Sequence, residues 1–312
     1  MPLTGIGALN NMAYRISGHD SFTCRYAWLP KVVRGLHLNG RLLNNEEQAM
    51  VELGVGKNMV RSMRFWAQAS DVIEDSGRDG ASRLTAFAQT LLGQNGLDPF
   101  LEDIRTLWLI HWKLSTNIHH PLLAWDYLLN HWHEPEIVPT KVLKALRKET
   151  PSQLSPVTVE QHWETFLHTY MPTRGRKGEV QEDNLDCPLV ELGLLLKVGE
   201  RSPDQTAGKR ETIYAFRREE KPEIDSGLFV YCLNEFWRQR HPTEATLSFR
   251  EIAHGHGSPG QIFKLPEENM LTRLAALERD TRGRFSYIES MDSQKIEKHG
   301  DIDGITLLRS IY

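Results

Sequence analysis

Cysteine is scarce. Cys24, Cys187 and Cys232 lie far apart in a chain of 312 residues and leave an odd one. They can build neither a disulfide framework nor a paired CxxC zinc knuckle, so small disulfide scaffolds are excluded and a reduced, cytoplasmic protein is expected. Long apolar runs are missing too. No stretch approaches the ~18 uninterrupted apolar residues of a membrane span, and the opening MPLTGIGALNNMAYRIS lacks the apolar core of a secretory signal. Neither sign of charge dominates: 37 basic against 41 acidic residues give a formal charge of −4. A uniformly basic nucleic-acid coat protein is thereby excluded, and any nucleic-acid site must be a local basic face on an acidic body. HExxH, G-x-S-x-G and the phosphate-binding GxxxxGK[ST] loop do not occur, nor does an internal repeat or low-complexity tract.

What is present is a globular composition, 40% hydrophobic and 25% charged, which excludes global disorder. The hydrophobic patterning predicts a mainly α (α+β) protein. An N-terminal winged helix-turn-helix is expected over 1–97 and a helical middle over 98–171. A charge-rich, Pro- and Gly-bearing linker over 172–186 then leads to a small α+β domain over 187–312, with a second winged helix as one reading of it. In TLWLIHWKLSTNI and PLLAWDYLLNHWH, Trp108, Trp112, Trp125 and Trp132 recur among Leu and Ile, the pattern of two packed helices broken at Pro121. LVELGLLLKV and TIYAFRR read as strands. GLFVYCLNEFWRQR, LSFREIAHGHGSPG and ENMLTRLAALERD read as helices around a turn, and GRFSYIESMDSQKIEKHG as a terminal hairpin.

The strongest local signal runs from Glu46 to Leu92. Counting from Glu46, apolar Ala49, Leu53, Val55, Val60 and Met63 fall at positions 4, 8, 10, 15 and 18, with Gly54 at position 9, where a helix-turn-helix reverses. Met50 is bulkier than the small residue expected at position 5. Over 56–69 the second helix would carry Lys57, Arg61, Arg64 and Gln68 on one stripe, with Asn58 near its start and no acidic residue in the segment. A helix of that kind suits the DNA major groove, where Arg reads guanine and Asn reads adenine. DVIEDSGRDGASRLT then reads as strand, glycine-bearing tip and strand, a wing whose Arg78 and Arg83 could meet phosphates, with Thr85 capping the next helix. Double-stranded DNA is the expected partner; a fold used only for protein contacts is the alternative.

Three groupings invite chemistry. GHDSFTCRYAWLPK sets His19, Asp20, Arg25 and Lys31 within fourteen residues: a base or metal ligand, a carboxylate and two cations that could stabilise a pentavalent phosphate. The structural alternative is that His19 and Asp20 cap a helix while Arg25 makes a buried pair. A crowd of His111, His119, His120, His131 and His133 suggests a metal, although HWH flanked by core aromatics also suits packing. A degenerate PD…ExK pattern passes through Pro203, Asp204, Glu219 and Lys221. No motif fixes a metal ligand set; a divalent ion such as Mg or Mn is compatible with strand cleavage.

The set GHDSFTCRYAWLPK, LGVGKNMVRSMRFWA, DPFLEDIRTLWLIHW, LDCPL and SPGQIFKL resembles, in order and spacing from about Gly18 to Gly304, an uncharacterised-domain family of bacterial defence islands. Its best-described member is SspB of single-strand DNA phosphorothioation. The resemblance implies a DNA-nicking component acting beside a cysteine desulfurase, an ATP-pyrophosphatase-like sulfur transferase and an ATPase, which replace a non-bridging phosphate oxygen with sulfur. It supplies no nuclease motif to place on particular residues. A non-catalytic adaptor or transcriptional regulator of the same locus remains the alternative, and a homodimer is left open.

Overall fold

The computed structural model describes residues 14–75, 81–172, 187–202, 210–290 and 293–312. Three helices open it: α1 (Trp28–Leu38), α2 (Glu46–Leu53) and α3 (Lys57–Ala69). The Asn45 side chain accepts the Gln48 N–H at 3.1 Å and starts α2. Gly54 ends it at φ +66°, a left-handed conformation that a residue with a Cβ resists. Three residues later α3 begins. Ala49, Leu53, Val60 and Met63 are all buried between these helices.

Strands β1 (Ile73–Asp75) and β2 (Ser82–Leu84) pair antiparallel with Glu74 opposite Arg83. The Thr85 hydroxyl accepts the Ala88 N–H to cap α4 (Ala86–Leu92) and donates to the Asp71 carbonyl at 2.6 Å, closing the root of the pair. The intervening tip, with Arg78, lies outside the described residues.

Helix α5 (Ile104–Thr116) crosses the middle of the molecule and is buried from Thr106 onward. Its Lys113 lies between Asp71 at 3.0 Å and Glu235 at 2.8 Å, a buried ammonium that ties three parts of the chain together. After Pro121 the chain forms α6 (Leu123–Asp126), which runs directly into one π turn over Tyr127–His131. Helices α7 (Pro139–Lys148) and α8 (Pro156–Tyr170) follow. Trp108, Trp112, Trp125 and Trp132 are all buried, as their spacing predicts.

In the C-terminal part, β3 (Leu195–Arg201) pairs with β4 (Glu211–Phe216). Then come α9 (Ser226–Arg240), β5 (Thr246–Ser248), α10 (Phe249–His254), α11 (Pro259–Phe263), α12 (Glu267–Asp280), β6 (Phe285–Glu289), β7 (Gln294–Lys298) and α13 (Gly304–Arg309). The last three strands form one antiparallel sheet in the order β5-β7-β6. The expected terminal hairpin is there. Strand β5 and helix α13 are not announced by the hydrophobic patterning, and the first half of LVELGLLLKV, strand-like in its apolar run, is a 3-10 turn over Pro188–Leu192.

The core runs across the expected segment boundaries. Trp66 of α3 meets Trp125 of α6 at 5.9 Å, and Phe263 of α11 meets Trp108 and Trp112 of α5. Helix α13 packs on α9 and on α4. The expected linker lies almost wholly in 173–186, outside the described residues, as do Pro203 and Asp204. Among the described residues, no helix is long and apolar enough to cross a membrane.

Candidate nucleic-acid interface and a histidine–aspartate cluster

Helix α3 buries one face and exposes the other. Lys57, Asn58 and Arg61 are exposed on its N-terminal half. Lys57 and Arg61 are held side by side by Glu46 at the start of α2, at 3.0 and 2.7 Å. Hydrogen bonds from Arg61 and then Lys57 keep the Glu46 carboxyl below its ordinary range. Farther along, Arg64 is half-buried and bonds Asp75 of β1 at 3.2 Å. Gln68, expected on the exposed stripe, is buried instead. It donates to the same Asp75 and accepts from Arg15 at 2.9 Å. The stripe therefore divides: its first turns face outward, and its last fixes the β1–β2 pair against the helix. Arg83 is exposed on β2.

The segment 14–22 lies along α3. The Ser62 hydroxyl donates to the His19 carbonyl at 2.9 Å, and Arg15 lies 4.4 Å over the Phe65 ring. Asp20 and Ser21 both take positive φ, +46° and +61°, while the Phe22 N–H returns to the His19 carbonyl. That tight turn exposes Asp20 close enough for its charge to act on Arg61.

His19 itself is buried and engaged. His162 Nε2 accepts the Ala124 N–H at 3.1 Å, and its Nδ1 lies 3.4 Å from His19 Nε2. His19 Nδ1 accepts the Ser21 N–H at 3.1 Å and lies 3.2 Å from the Thr165 hydroxyl, whose own proton goes to the Gln161 carbonyl. Both nitrogens of the His19 ring are thus enclosed by protein groups. Burial lowers the His19 pKa, and it lowers that of His162 to about 3. Arg25 and Lys31 do not join this group. Arg25 lies against the Trp28 ring at 5.7 Å. Lys31 donates to the Leu53 carbonyl at the end of α2 and borders an apolar cavity of about 730 Å³ between α1 and α4. Lys221 of the ExK pattern is fully buried and donates to three backbone carbonyls.

Of the five crowded histidines, His111 is buried in the core, donating to the Ile262 carbonyl and facing the Tyr170 hydroxyl. His131 lies elsewhere, in a group the sequence did not assemble. Asp126, His131 and His256 bring one ligand atom each within 4.8 Å of one another. The buried Asp126 carboxylate accepts from Tyr14 at 2.6 Å on Oδ2 and from Asn130 at 3.1 Å on Oδ1, where His256 Nε2 also lies at 2.7 Å. His131 Nε2 stands 3.6 Å from Oδ2, is buried, and has no hydrogen-bond partner. Burial alone would raise the Asp126 pKa; His131, His256 and Tyr14 hold it well below its ordinary value. No spacing in the sequence announces this group. Residues five apart lie on different faces of an α-helix, and only the π turn brings 126 and 131 together. His256 arrives from the α10–α11 loop, more than a hundred residues later.

A family model described as a protein of unknown function (DUF4007) matches residues 16–312. The chain belongs to this family. No curated protein matches it. Two solved structures share its fold. A magnesium ion-bound SspB crystal structure aligns with a TM-score of 0.82 and 23% identity, over 97% of this chain and 89% of that one. Another SspB crystal structure aligns with a TM-score of 0.78 and 23% identity, over 95% and 87%. The family resemblance read from the sequence is thus shown over nearly the whole chain. Two of the segments that carried it contribute to the clusters above: GHDSFTC supplies His19 and Asp20, and LGVGKNMVRSMRFWA supplies the outward face of α3.

Proposed function

We propose that this protein is the DNA-binding, strand-nicking component of a DNA phosphorothioation system, with α3 as the reading helix of a winged helix whose β1–β2 pair is the wing. The observation that carries the proposal is the outward half of α3. Lys57, Asn58 and Arg61 stand exposed on a helix without an acidic residue of its own, and Arg83 is exposed on the adjoining strand. Helices of this kind dock in the major groove with their N-terminal residues toward the bases. Fold similarity to SspB supports a place beside a desulfurase, a sulfur transferase and an ATPase.

Magnesium is the ion in one of the similar structures. It favours near-octahedral oxygen ligands, and a trio offering one carboxylate and two imidazoles does not fit it. No step of cleavage is therefore assigned to magnesium there. The burial of the His19 ring favours a second reading, a DNA-binding adaptor or regulator without cleavage, because a base shut away from solvent cannot reach a phosphodiester. Relaxation of supercoiled plasmid by the purified protein, with Mg²⁺ or Mn²⁺, separates the two. Relaxed circles are expected. Retarded but intact supercoils would support the adaptor, and no retardation at low salt would remove the DNA reading.

A further inference from the structure

We infer that Asp126, His131 and His256 form a binding site for a first-row transition-metal dication of the Mn²⁺, Co²⁺ or Zn²⁺ kind. The inference does not depend on DNA binding or cleavage. Three observations support it. First, the ligand atoms already converge. All lie within 4.8 Å of one another, and small side-chain rotations would bring them to a common ion at the ~2.0–2.2 Å of such sites.

Second, His131 Nε2 is a buried polar atom with no hydrogen-bond partner. Leaving such an atom unsatisfied is costly, and a cation held between it and Asp126 would give it a partner. The π turn that presents it is an uncommon local structure, one that recurs at functional sites.

Third, the ligands are positioned from behind. The Tyr14 hydroxyl and the Asn130 amide hold the carboxylate from either side. The Asn130 side-chain Oδ1 accepts the Gly257 N–H at 2.7 Å, which pins the loop beside His256. Gly257 sits at φ +75°, and a Cβ at Gly255 would lie 2.3 Å from the Glu251 carbonyl oxygen, so a loop of this shape needs both glycines. Hydrogen bonds that orient the ligands in this way are characteristic of metal sites.

Two imidazoles and a single carboxylate prefer borderline transition ions to hard magnesium or calcium. Three protein ligands also leave coordination positions open to water or to a phosphate oxygen. The Arg240 guanidinium is close enough for its charge to act on Tyr14, the residue that bonds the Asp126 carboxylate.

The test uses the untagged full-length protein, stripped with a chelator and dialysed. Addition of Co²⁺ is expected to give visible absorption of a low-symmetry site at one ion per chain. Mn²⁺, Co²⁺ and Zn²⁺ are expected to raise the melting temperature with affinities at least about tenfold above that for Mg²⁺. His256→Ala, a loop substitution outside the core, and His131→Gln should each abolish the cobalt signal. Asn130→Ala should weaken binding by about 10-fold or more. If either ligand variant unfolds, competition of Zn²⁺ against Co²⁺ on the wild-type chain gives the answer: displacement at one equivalent supports the site. Absence of a cobalt signal with the wild-type chain, or its persistence in a folded His131→Gln/His256→Ala variant, would overturn the inference.

Discussion

His111 and His162 show how far burial decides what a histidine can do. Both are fully buried and stay neutral in the fold. Burial lowers the His111 pKa to about 4 and that of His162 to about 3. The unfolded chain takes up protons on both near pH 6.5. Below that pH the unfolded state binds more protons than the native one, so stability falls with pH until the folded values are reached. Each ring contributes up to about 1.4 kcal/mol per pH unit in this window. Urea unfolding between pH 6.5 and 4.5 should therefore show a steep acid loss, and His111→Gln should make it shallower by about one proton. An unchanged slope in that variant would mean His111 is protonated in the native state. At this scale the sequence showed which residues were chemically able, but not which were free to act. His19 looked reactive beside Asp20, yet its ring is turned into α8, while Asp126 gave no sign of joining His131 and His256.

At the scale of elements, the α2–α3 segment was legible because its constraints are local. The spacing of Ala49, Leu53, Val60 and Met63 and the glycine at the reversal follow from helix periodicity and from backbone sterics at positive φ. The stripe on α3 was only half legible. Periodicity places Gln68 in line with Lys57 and Arg61, but the hairpin folds back over that end of the helix and covers it. Nor does periodicity along α3 reveal that Glu46, on the neighbouring helix, occupies the space in front of Lys57 and Arg61. If these cations meet phosphates, Glu46 competes with the DNA for them. Glu46→Gln should then tighten binding at low salt by several-fold with little change in melting temperature, since exposed ion pairs contribute little to stability. Weaker binding in this variant would mean that Glu46 holds the two cations in their working positions.

Across the whole molecule, adjacent residues near the start of the described chain connect the two candidate sites. Tyr14 reaches the Asp126 carboxylate, and Arg15 reaches Gln68 and Phe65 of α3. Trp66 and Trp125 pack against each other along the same path. The sequence suggested separate segments because composition changes near residues 97 and 172. What it could not convey is that long-range contacts, such as Lys113 with Asp71 and Glu235, run the core through both places.

The central claim is that DNA meets the outward half of α3, and the salt dependence of binding tests it most directly. The apparent affinity for a duplex should be measured from about 50 to 200 mM salt for the wild type and for Lys57→Ala/Arg61→Ala. Each phosphate contact contributes about 0.9 to the slope of log affinity against log salt. The account predicts weaker binding at every salt concentration and a slope shallower by roughly 1–2, with the melting temperature unchanged. An identical slope and affinity in the folded double variant would contradict it.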